Sequence, residues 1–272
     1  MRIGVSSYTY TWAIGVPGHA PRRALTLLEL LERAYSLGVE VLQVADNLPL
    51  HEQSEVQLEA FNSRVRELRL AVEVGTRGIA PAHLKRYLLL AKRLDSPLLR
   101  VVIAQKGHDL TPDEAIAVLK PQRSAFERAG VMLAIENHEK FSTDELIYIV
   151  EQLGTDWVGI CLDTVNSFGA LEGPAIVVEK LSPFTVNLHV KDFAVRRAEH
   201  MMGFEVEGRP VGQGQLDVPW LLERLGRHGR TMSAIIELWT PPEPTLESTI
   251  EKEREWAEVS VRYLKGLLCT HD

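Results

Sequence analysis

Four short apolar runs in the second half of the chain each end in a side chain that can bind a metal ion or move a proton. These side chains are Glu136, Asp163, His189 and Glu237. Three carboxylates brought together beside one imidazole would repel one another without a cation. A buried charge is also costly unless it is paired or metal-bound. Three oxygen donors and one nitrogen suit Mn²⁺, Mg²⁺ or Co²⁺ better than a metal that prefers thiolates. One such residue alone is equally well explained as a strand-end ion pair, but the four together predict a site for one divalent metal.

The elements that must position these side chains follow one rhythm along the whole chain. Apolar, β-rich runs alternate with segments of helical period. Strands are predicted at residues 3–7, 39–44, 71–75, 98–103, 131–135, 158–162, 186–190 and 233–236. Helices are predicted at residues 21–37, 53–68, 81–94, 111–129, 143–153, 175–181, 218–225 and 245–268. Gly38 after the first helix and Thr111-Pro112 before the fourth are helix stop and start signals.

Eight strand–helix units predict an α/β fold, a single (β/α)₈ TIM barrel in which residues 1–272 form one domain. The alternative is an open, doubly wound sheet. No G-x-G-x-x-G pattern follows the first strand, which disfavours the dinucleotide-binding version of that sheet. In a barrel the carboxyl ends of the strands form the active-site mouth, so the four residues are expected to meet there. The stretch from about Asp192 to Gln215 is predicted to be a long irregular loop with a functional role.

Composition limits the partners that the protein can have. Lys and Arg total 30 against 37 Asp and Glu, a formal charge of −7, which disfavours nucleic acid. No apolar stretch is long enough to span a membrane, and the N-terminus lacks a signal-peptide pattern. Cys161 and Cys269 do not make a disulfide framework, and Cys161 lies in an apolar run as an inert core thiol. We expect a cytoplasmic protein and leave open whether it forms a homo-oligomer.

The motifs around the four candidate ligands resemble a known group of enzymes. They read Ile-Glu-Asn-His at 135–138, Leu-Asp-Thr-Val-Asn-Ser at 162–167 and His-Val-Lys-Asp at 189–192. The chain resembles, over essentially its whole length, the xylose-isomerase-like TIM-barrel superfamily, which includes sugar epimerases, hydroxypyruvate isomerase, inosose dehydratase and endonuclease IV. The resemblance implies that Glu136, Asp163, His189 and Glu237 hold one divalent metal, usually Mn²⁺, with Mg²⁺, Co²⁺ and Zn²⁺ as alternatives.

The resemblance also implies roles toward a small carbohydrate-derived substrate. In the epimerases the two glutamates move the substrate proton, which makes Glu136 and Glu237 catalytic candidates. Removing a proton next to a carbonyl creates an enediolate, whose oxyanion a bound cation stabilises. Arg209, which precedes the Pro-Val-Gly-Gln-Gly turn at 210–214, is implied to contact substrate.

Three further residues near the predicted mouth are site candidates. Lys191 is a catalytic candidate that polarises an oxygen or anchors a carboxylate, or it simply pairs with Asp192. His138 touches substrate or orients Glu136, or it is a loop histidine bonded to backbone. Asn166 stands where many sugar-acting members carry a histidine three residues after the aspartate, and is a candidate for substrate binding.

The asparagine at position 166 also distinguishes between the candidate functions. Endonuclease IV needs the histidine that Asn166 replaces and an Asp-x-His after strand seven, so a DNA-repair nuclease is disfavoured. Residues 163–174 resemble members that act on oxidised sugars or polyol ketones, among them a 3-oxo-isoapionate decarboxylase branch. We expect an isomerase or epimerase of a small ketose or polyol-derived ketone, with a decarboxylase or dehydratase of an oxo-sugar or oxo-sugar acid as the alternative. A sugar-binding barrel without activity is opposed by the intact ligand series.

For other polar and aromatic residues we expect a role in the core or in the walls of the pocket. Arg100 and Gln43 lie inside predicted strands, as core hydrogen-bond partners or as the pocket floor. Tyr8, Tyr10 and Trp12 follow the first strand, as packing or as an apolar wall. Three histidines are expected on the surface or in loops: His51, His83 and His108.

Overall fold

A computed structural model describes residues 1–104, 107, 109–228 and 233–269. It confirms the predicted (β/α)₈ TIM barrel: eight parallel strands close in the order β1-β10-β7-β6-β5-β4-β3-β2. Two further strands, β8 and β9, form a separate antiparallel hairpin. The ten strands are β1 Arg2–Ser6, β2 Val41–Val44, β3 Ala71–Arg77, β4 Leu98–Val102, β5 Met132–Glu136, β6 Val158–Asp163, β7 Thr185–Val190, β8 Asp192–Arg197, β9 Phe204–Arg209 and β10 Ser233–Ile236.

Helices surround the barrel, and in the described residues they are α1 Thr11–Ile14, α2 Leu27–Ser36, α3 Glu55–Leu68, α4 Pro81–Arg93, α5 Pro112–Leu119, α6 Arg123–Ala129, α7 Thr143–Leu153, α8 Pro174–Leu181, α9 Val218–Gly226 and α10 Leu246–Cys269. No helix in the described ranges is long and apolar enough to cross a membrane. Apolar residues of the strands and of the inner helix faces form one large buried cluster, which holds the barrel and its helical ring together.

Two helix predictions were wrong in their extent. The first helix begins at Leu27 rather than at residue 21, because Thr26 caps it: its hydroxyl accepts from the Glu29 N–H, and Glu29 bonds back to Thr26. The helix predicted at 111–129 is two helices, α5 and α6, with a short 3₁₀ turn between them that contains Pro121. Proline disfavours the helical conformation of the residue before it and lacks the N–H that a continuous helix requires.

The segment after strand seven was predicted as irregular, and this was wrong for half of it. Strands β8 and β9 pair in register from Asp192–Arg209 to Arg197–Phe204. Asp192 fixes the base of this hairpin to the turn that follows it, because its carboxylate accepts from the N–H groups of Gly212 (2.9 Å), Gly214 (2.9 Å) and Leu216 (3.0 Å). A Cβ on Gly214 would lie 2.1 Å from that carboxylate, so the turn requires glycine there.

The expectation for three histidines was partly wrong. His51 and His83 are half-buried, and they bond to Tyr87 Oη and Thr76 Oγ1 respectively, each at 2.7 Å. They form an aromatic cluster with Tyr87 beside β3 and α4. His108 lies outside the described residues.

Candidate metal centre at the barrel mouth

The four candidate ligands lie together at the carboxyl ends of neighbouring strands. Glu136 ends β5, Asp163 ends β6, His189 is in β7 and Glu237 follows β10, and each is at most 2% exposed. His189 Nδ1 lies 3.5 Å from Glu136 Oε2, 3.8 Å from Asp163 Oδ2 and 3.5 Å from Glu237 Oε1. The imidazole therefore points one nitrogen at all three carboxylates.

Three atoms of this cluster have geometry that suits a metal ion. Asp163 Oδ2, His189 Nδ1 and Glu237 Oε2 are buried and have no hydrogen-bond partner in the described part of the chain. Asp163, His189 and Glu237 each offer one ligand atom within 4.8 Å of the others. Buried polar atoms are normally satisfied, so three unsatisfied ones facing a common centre fit a divalent cation bound by two carboxylates and one imidazole.

Lys191 supplies the positive charge nearest to these carboxylates. Its Nζ lies 2.7 Å from Asp163 Oδ2 and 2.9 Å from Glu237 Oε2, in ion-pair contact but outside hydrogen-bond geometry. The alternative expectation, that Lys191 pairs with Asp192, was wrong. The carboxylate of Asp192 instead accepts hydrogen bonds from backbone N–H groups. Lys191 is thus directed into the site.

Glu136 is held differently from the other two carboxylates. Arg100 Nε donates to its Oε2, and Asn166 Nδ2 donates to its Oε1 at 2.7 Å. Arg100 is itself fixed by Asp46 Oδ1, 2.8 Å from Nη1. Asn166 Oδ1 in turn accepts from Lys191 Nζ at 3.3 Å, so Asn166 links the glutamate to the lysine.

The charges of the cluster shift the pKa values of its members. Burial alone would raise the pKa of Asp163 and Glu237, but the cations Lys191 and His189 hold both below their usual range. Burial alone would lower the pKa of His189, but Glu237 and Glu136 raise it. For Glu136, burial outweighs the opposing guanidinium of Arg100, and its pKa is raised. The two glutamates therefore lie in different electrostatic environments.

A second set of possible ligand atoms comes from Glu136, Cys161 and His189. Burial raises the pKa of the Cys161 thiol well above its usual value, and the thiol donates to Asn187 Oδ1 at 3.1 Å. Cys161 is completely buried, as the sequence predicts, and it stays protonated. The donor set with two carboxylates and one imidazole therefore fits a metal better.

A cavity of about 670 Å³ opens above Lys191 and Asn166. Its walls are mainly aromatic and apolar, and the hairpin contributes Val206, Glu207 and Gly208. Gly208 allows close packing, because a Cβ there would lie 2.3 Å from the Trp239 carbonyl oxygen. The aromatic residues in the walls are Tyr8, Trp12, Phe168 and Trp239. The apolar wall considered for Tyr8 and Trp12 is thus present, whereas Tyr10 is buried in the core.

The other two substrate-binding candidates lie farther out. His138 Nε2 is 3.3 Å from Arg77 Nη2, and burial together with the charge of Arg77 lowers its pKa to about 4, so its ring is neutral. Arg209 is in β9, where its guanidinium donates to Glu207 Oε2 (3.0 Å) and to the Gly208 carbonyl (2.8 Å). Contact of His138, Asn166 and Arg209 with substrate stays a prediction.

Two residues of the site were missed in the sequence. Asp46, two residues after the end of β2, bonds to Arg100 and Arg77 and accepts from Tyr8 Oη. Glu73, in the middle of β3, is 1% exposed and anchors a network beneath His189. The sequence shows that Glu73 is a charged residue inside an apolar strand, and this could have marked it as a candidate. The sequence does not show which residues bind its carboxylate.

Comparison with known proteins agrees with this architecture. Residues 75–265 match the family model described as xylose isomerase-like TIM barrel. The chain belongs to this family. A relative named 3-oxo-isoapionate decarboxylase, from Pectobacterium atrosepticum, is 34% identical over 264 residues, which cover 97% of this chain and 95% of the relative.

Solved structures of other proteins share the fold. D-psicose 3-epimerase from Clostridium cellulolyticum H10, solved with D-tagatose, has a TM-score of 0.74 at 15% identity and covers 98% of this chain and 99% of its own. A xylose isomerase-like TIM barrel protein from Mycobacterium smegmatis, solved in complex with magnesium, has a TM-score of 0.67 at 16% identity and covers 96% of this chain and 97% of its own. At such identities these structures support the fold alone.

Proposed function

We propose that this single-domain barrel is a metal-dependent enzyme of sugar metabolism that decarboxylates a 3-oxo sugar acid through an enediolate. The observation that carries the proposal is the end-to-end likeness to the 3-oxo-isoapionate decarboxylase, which covers the whole ligand series. The buried cluster of Asp163, His189 and Glu237 supports metal dependence, and Glu136 completes the ligand set. We take Mn²⁺ as the preferred ion because three oxygen donors and one nitrogen suit a hard or borderline cation.

The reaction needs an electron sink and a proton donor. When bound, the divalent ion would polarise the ketone oxygen of the substrate and stabilise the charge that develops on it. The bond between the carboxyl carbon and its neighbour then breaks, CO₂ leaves, and the electron pair forms the enediolate. A proton finally adds to the carbon that lost the carboxyl group, which restores the ketone.

Lys191 has the position for the proton donor. Its ammonium lies at the boundary between the buried carboxylates and the cavity, where Asn166 Oδ1 accepts from it at 3.3 Å. After it gives up its proton, Lys191 would be recharged from water.

The apolar walls of the cavity favour loss of CO₂. A carboxylate next to Trp12, Phe168 and Trp239 loses hydration, whereas neutral CO₂ does not require it. The charge of the substrate carboxylate would be transferred during the reaction to the ketone oxygen, on the side of the site where Lys191 lies and where Asp163, His189 and Glu237 would hold the ion. The arrangement thus stabilises the transition state more than the ground state.

An isomerase or epimerase is the second candidate. It is favoured by the placement of Glu136 and Glu237, whose carboxylates both lie 3.5 Å from His189 Nδ1 although their strands are three apart around the rim. Two carboxylates on one site can remove a proton and return it on the other face of a carbon.

One paired assay separates the two reactions. The enzyme with Mn²⁺ is incubated in deuterated water with 3-oxo sugar acids labelled with ¹³C at the carboxyl carbon, and in parallel with a panel of ketoses. We expect labelled CO₂ and one deuterium in the product from the oxo acid, and no exchange in the ketoses. Deuterium exchange or epimer formation in a ketose without CO₂ from any acid would replace the decarboxylase by the second candidate.

A further inference from the structure

The barrel interior beneath the candidate metal centre contains a closed hydrogen-bond network around one carboxylate. Glu73 Oε2 accepts from Gln43 Nε2 and Asn187 Nδ2, each at 3.0 Å, and its Oε1 accepts from Ser233 Oγ. Ser233 Oγ accepts from Asn187 Nδ2 at 2.8 Å. Each of these side chains is at most 2% exposed.

This network fixes the orientation of both amides. A carboxylate only accepts hydrogen bonds, so Gln43 and Asn187 must turn their NH₂ groups toward Glu73. Asn187 Oδ1 is then an acceptor, and Gln43 Nε2 donates to it as well, at 3.0 Å. The carbonyl oxygen of Gln43 is left to face His189 Nε2, at 2.7 Å.

The amide orientation determines which nitrogen of His189 carries a proton. Gln43 Oε1 is an acceptor, so Nε2 must be the N–H donor. His189 Nδ1, which faces the three carboxylates, is then the nitrogen that can present a lone pair to a cation. Histidine ligands of metals generally donate their other N–H to an acceptor that fixes the tautomer.

We propose that Glu73 and Gln43 are positioning residues that keep the His189 proton on Nε2 and so preserve Nδ1 as a metal ligand. The carboxylates around Nδ1 would otherwise favour a proton on that nitrogen, since an Nδ1–H can donate to them. Glu73 acts on the imidazole through the amide of Gln43, because it holds the NH₂ group of Gln43 at 3.0 Å from the position opposite in register on β3. The part of this inference that concerns metal affinity rests on the proposed function.

The test is histidine ¹⁵N NMR combined with calorimetric titration of Mg²⁺, which is diamagnetic. At a pH high enough to leave the ring neutral, the wild-type protein should carry the His189 proton on Nε2 both without metal and with saturating Mg²⁺. The variant Gln43→Met removes the acceptor at similar volume. We expect its neutral ring to carry the proton on Nδ1 and its Mg²⁺ affinity to fall about 10–100-fold.

Two further variants control for packing. The double variant Gln43→Glu/Glu73→Gln exchanges acid and amide, keeps an acceptor at Nε2, and should restore both the Nε2 proton and the affinity. Ser233→Ala removes a partner of Glu73 that does not reach His189, and should leave the proton on Nε2 and the affinity close to that of the wild type.

A proton on Nε2 in Gln43→Met together with unchanged affinity would overturn the inference. A wild-type spectrum without the Nε2 proton would overturn it as well, even if no variant folds. If the wild type binds no Mg²⁺ or Mn²⁺, the proposed function fails, while the proton position in the metal-free spectra still decides the role of Gln43.

Discussion

Arg100 and Glu136 form an ion pair inside the barrel, where each side chain is 2% exposed. The pair connects β4 to the metal-binding edge, because Arg100 Nε holds one oxygen of Glu136 while Arg100 Nη1 holds Asp46. Glu136 therefore has a fixed rotamer. Among the described residues, the charged contacts of Asp163 and Glu237 are Lys191 and His189, and each carboxylate keeps one oxygen without a hydrogen bond.

Removal of the guanidinium should destabilise the protein strongly. Arg100→Met leaves the buried carboxylate of Glu136 without its counter-charge and removes one of the two arginines that hold Asp46, which costs about 3–5 kcal/mol of unfolding free energy. Chemical denaturation followed by circular dichroism measures this loss. The control is Arg123→Met, which breaks an exposed ion pair with Glu127 and should change the unfolding free energy little. A similar small change in Arg100→Met would contradict the structural role assigned to the pair.

Lys191 should matter most to stability when no metal is bound. Lys191→Met takes away the cation that lies between Asp163 and Glu237, so the metal-free protein should lose about 3 kcal/mol or more. Saturating Mn²⁺ should remove most of this difference, because a dication compensates the same carboxylates. Melting curves with Mn²⁺ and with chelator test this, and Lys180→Met, which breaks a surface pair with Asp144, is the control. Equal losses under both conditions would show that Lys191 does not share these carboxylates with a metal.

Glu253 should make stability depend on pH. Its carboxylate is fully buried in α10 and accepts from the N–H groups of Trp12 (2.9 Å) and Ala13 (3.1 Å). Burial raises its pKa to about 8, although these N–H donors and Arg33 act in the opposite direction. The folded state thus keeps a proton that the unfolded chain releases near pH 4.5.

This difference in bound protons determines whether the unfolding free energy rises or falls with pH. Between about pH 4.5 and 8 the folded state binds more protons than the unfolded state, so the unfolding free energy falls as pH rises, by at most about 1.4 kcal/mol per pH unit. Glu253→Gln should flatten the pH profile in that window relative to the wild type. Glu255→Gln, on the exposed side of the same helix, should keep the wild-type slope. Parallel slopes for Glu253→Gln and the wild type would refute the raised pKa.

The sequence predicted the barrel and the meeting of the four candidate ligands at its mouth for a physical reason. Parallel strands covered by helices are buried on both faces and appear as short apolar runs. A polar residue at the end of such a run marks the barrel mouth, as it does for Glu136 and Asp163. The true start of α2 could also have been recognised in the sequence, because Thr26 and Glu29 have the spacing of a capping box.

The hairpin and the buried network could not be predicted in the same way. Strands β8 and β9 carry exposed apolar residues such as Val195 and Phe204, so their alternation lacks the usual buried face. The partners of Glu73 are 30 residues away at Gln43 and 114 residues away at Asn187. Such contacts depend on barrel closure, which local patterns do not encode.

The most direct test of the metal centre is a crystal structure of the protein soaked in Mn²⁺, with data collected at a wavelength where manganese scatters anomalously. We predict one anomalous peak per chain, about 2.1 Å from His189 Nδ1 and from carboxylate oxygens of Glu136, Asp163 and Glu237. The matched crystal of Asp163→Asn should show the peak weakened or lost. A fully occupied peak elsewhere, or an empty cluster with Lys191 still between the two carboxylates at saturating Mn²⁺, would contradict the account.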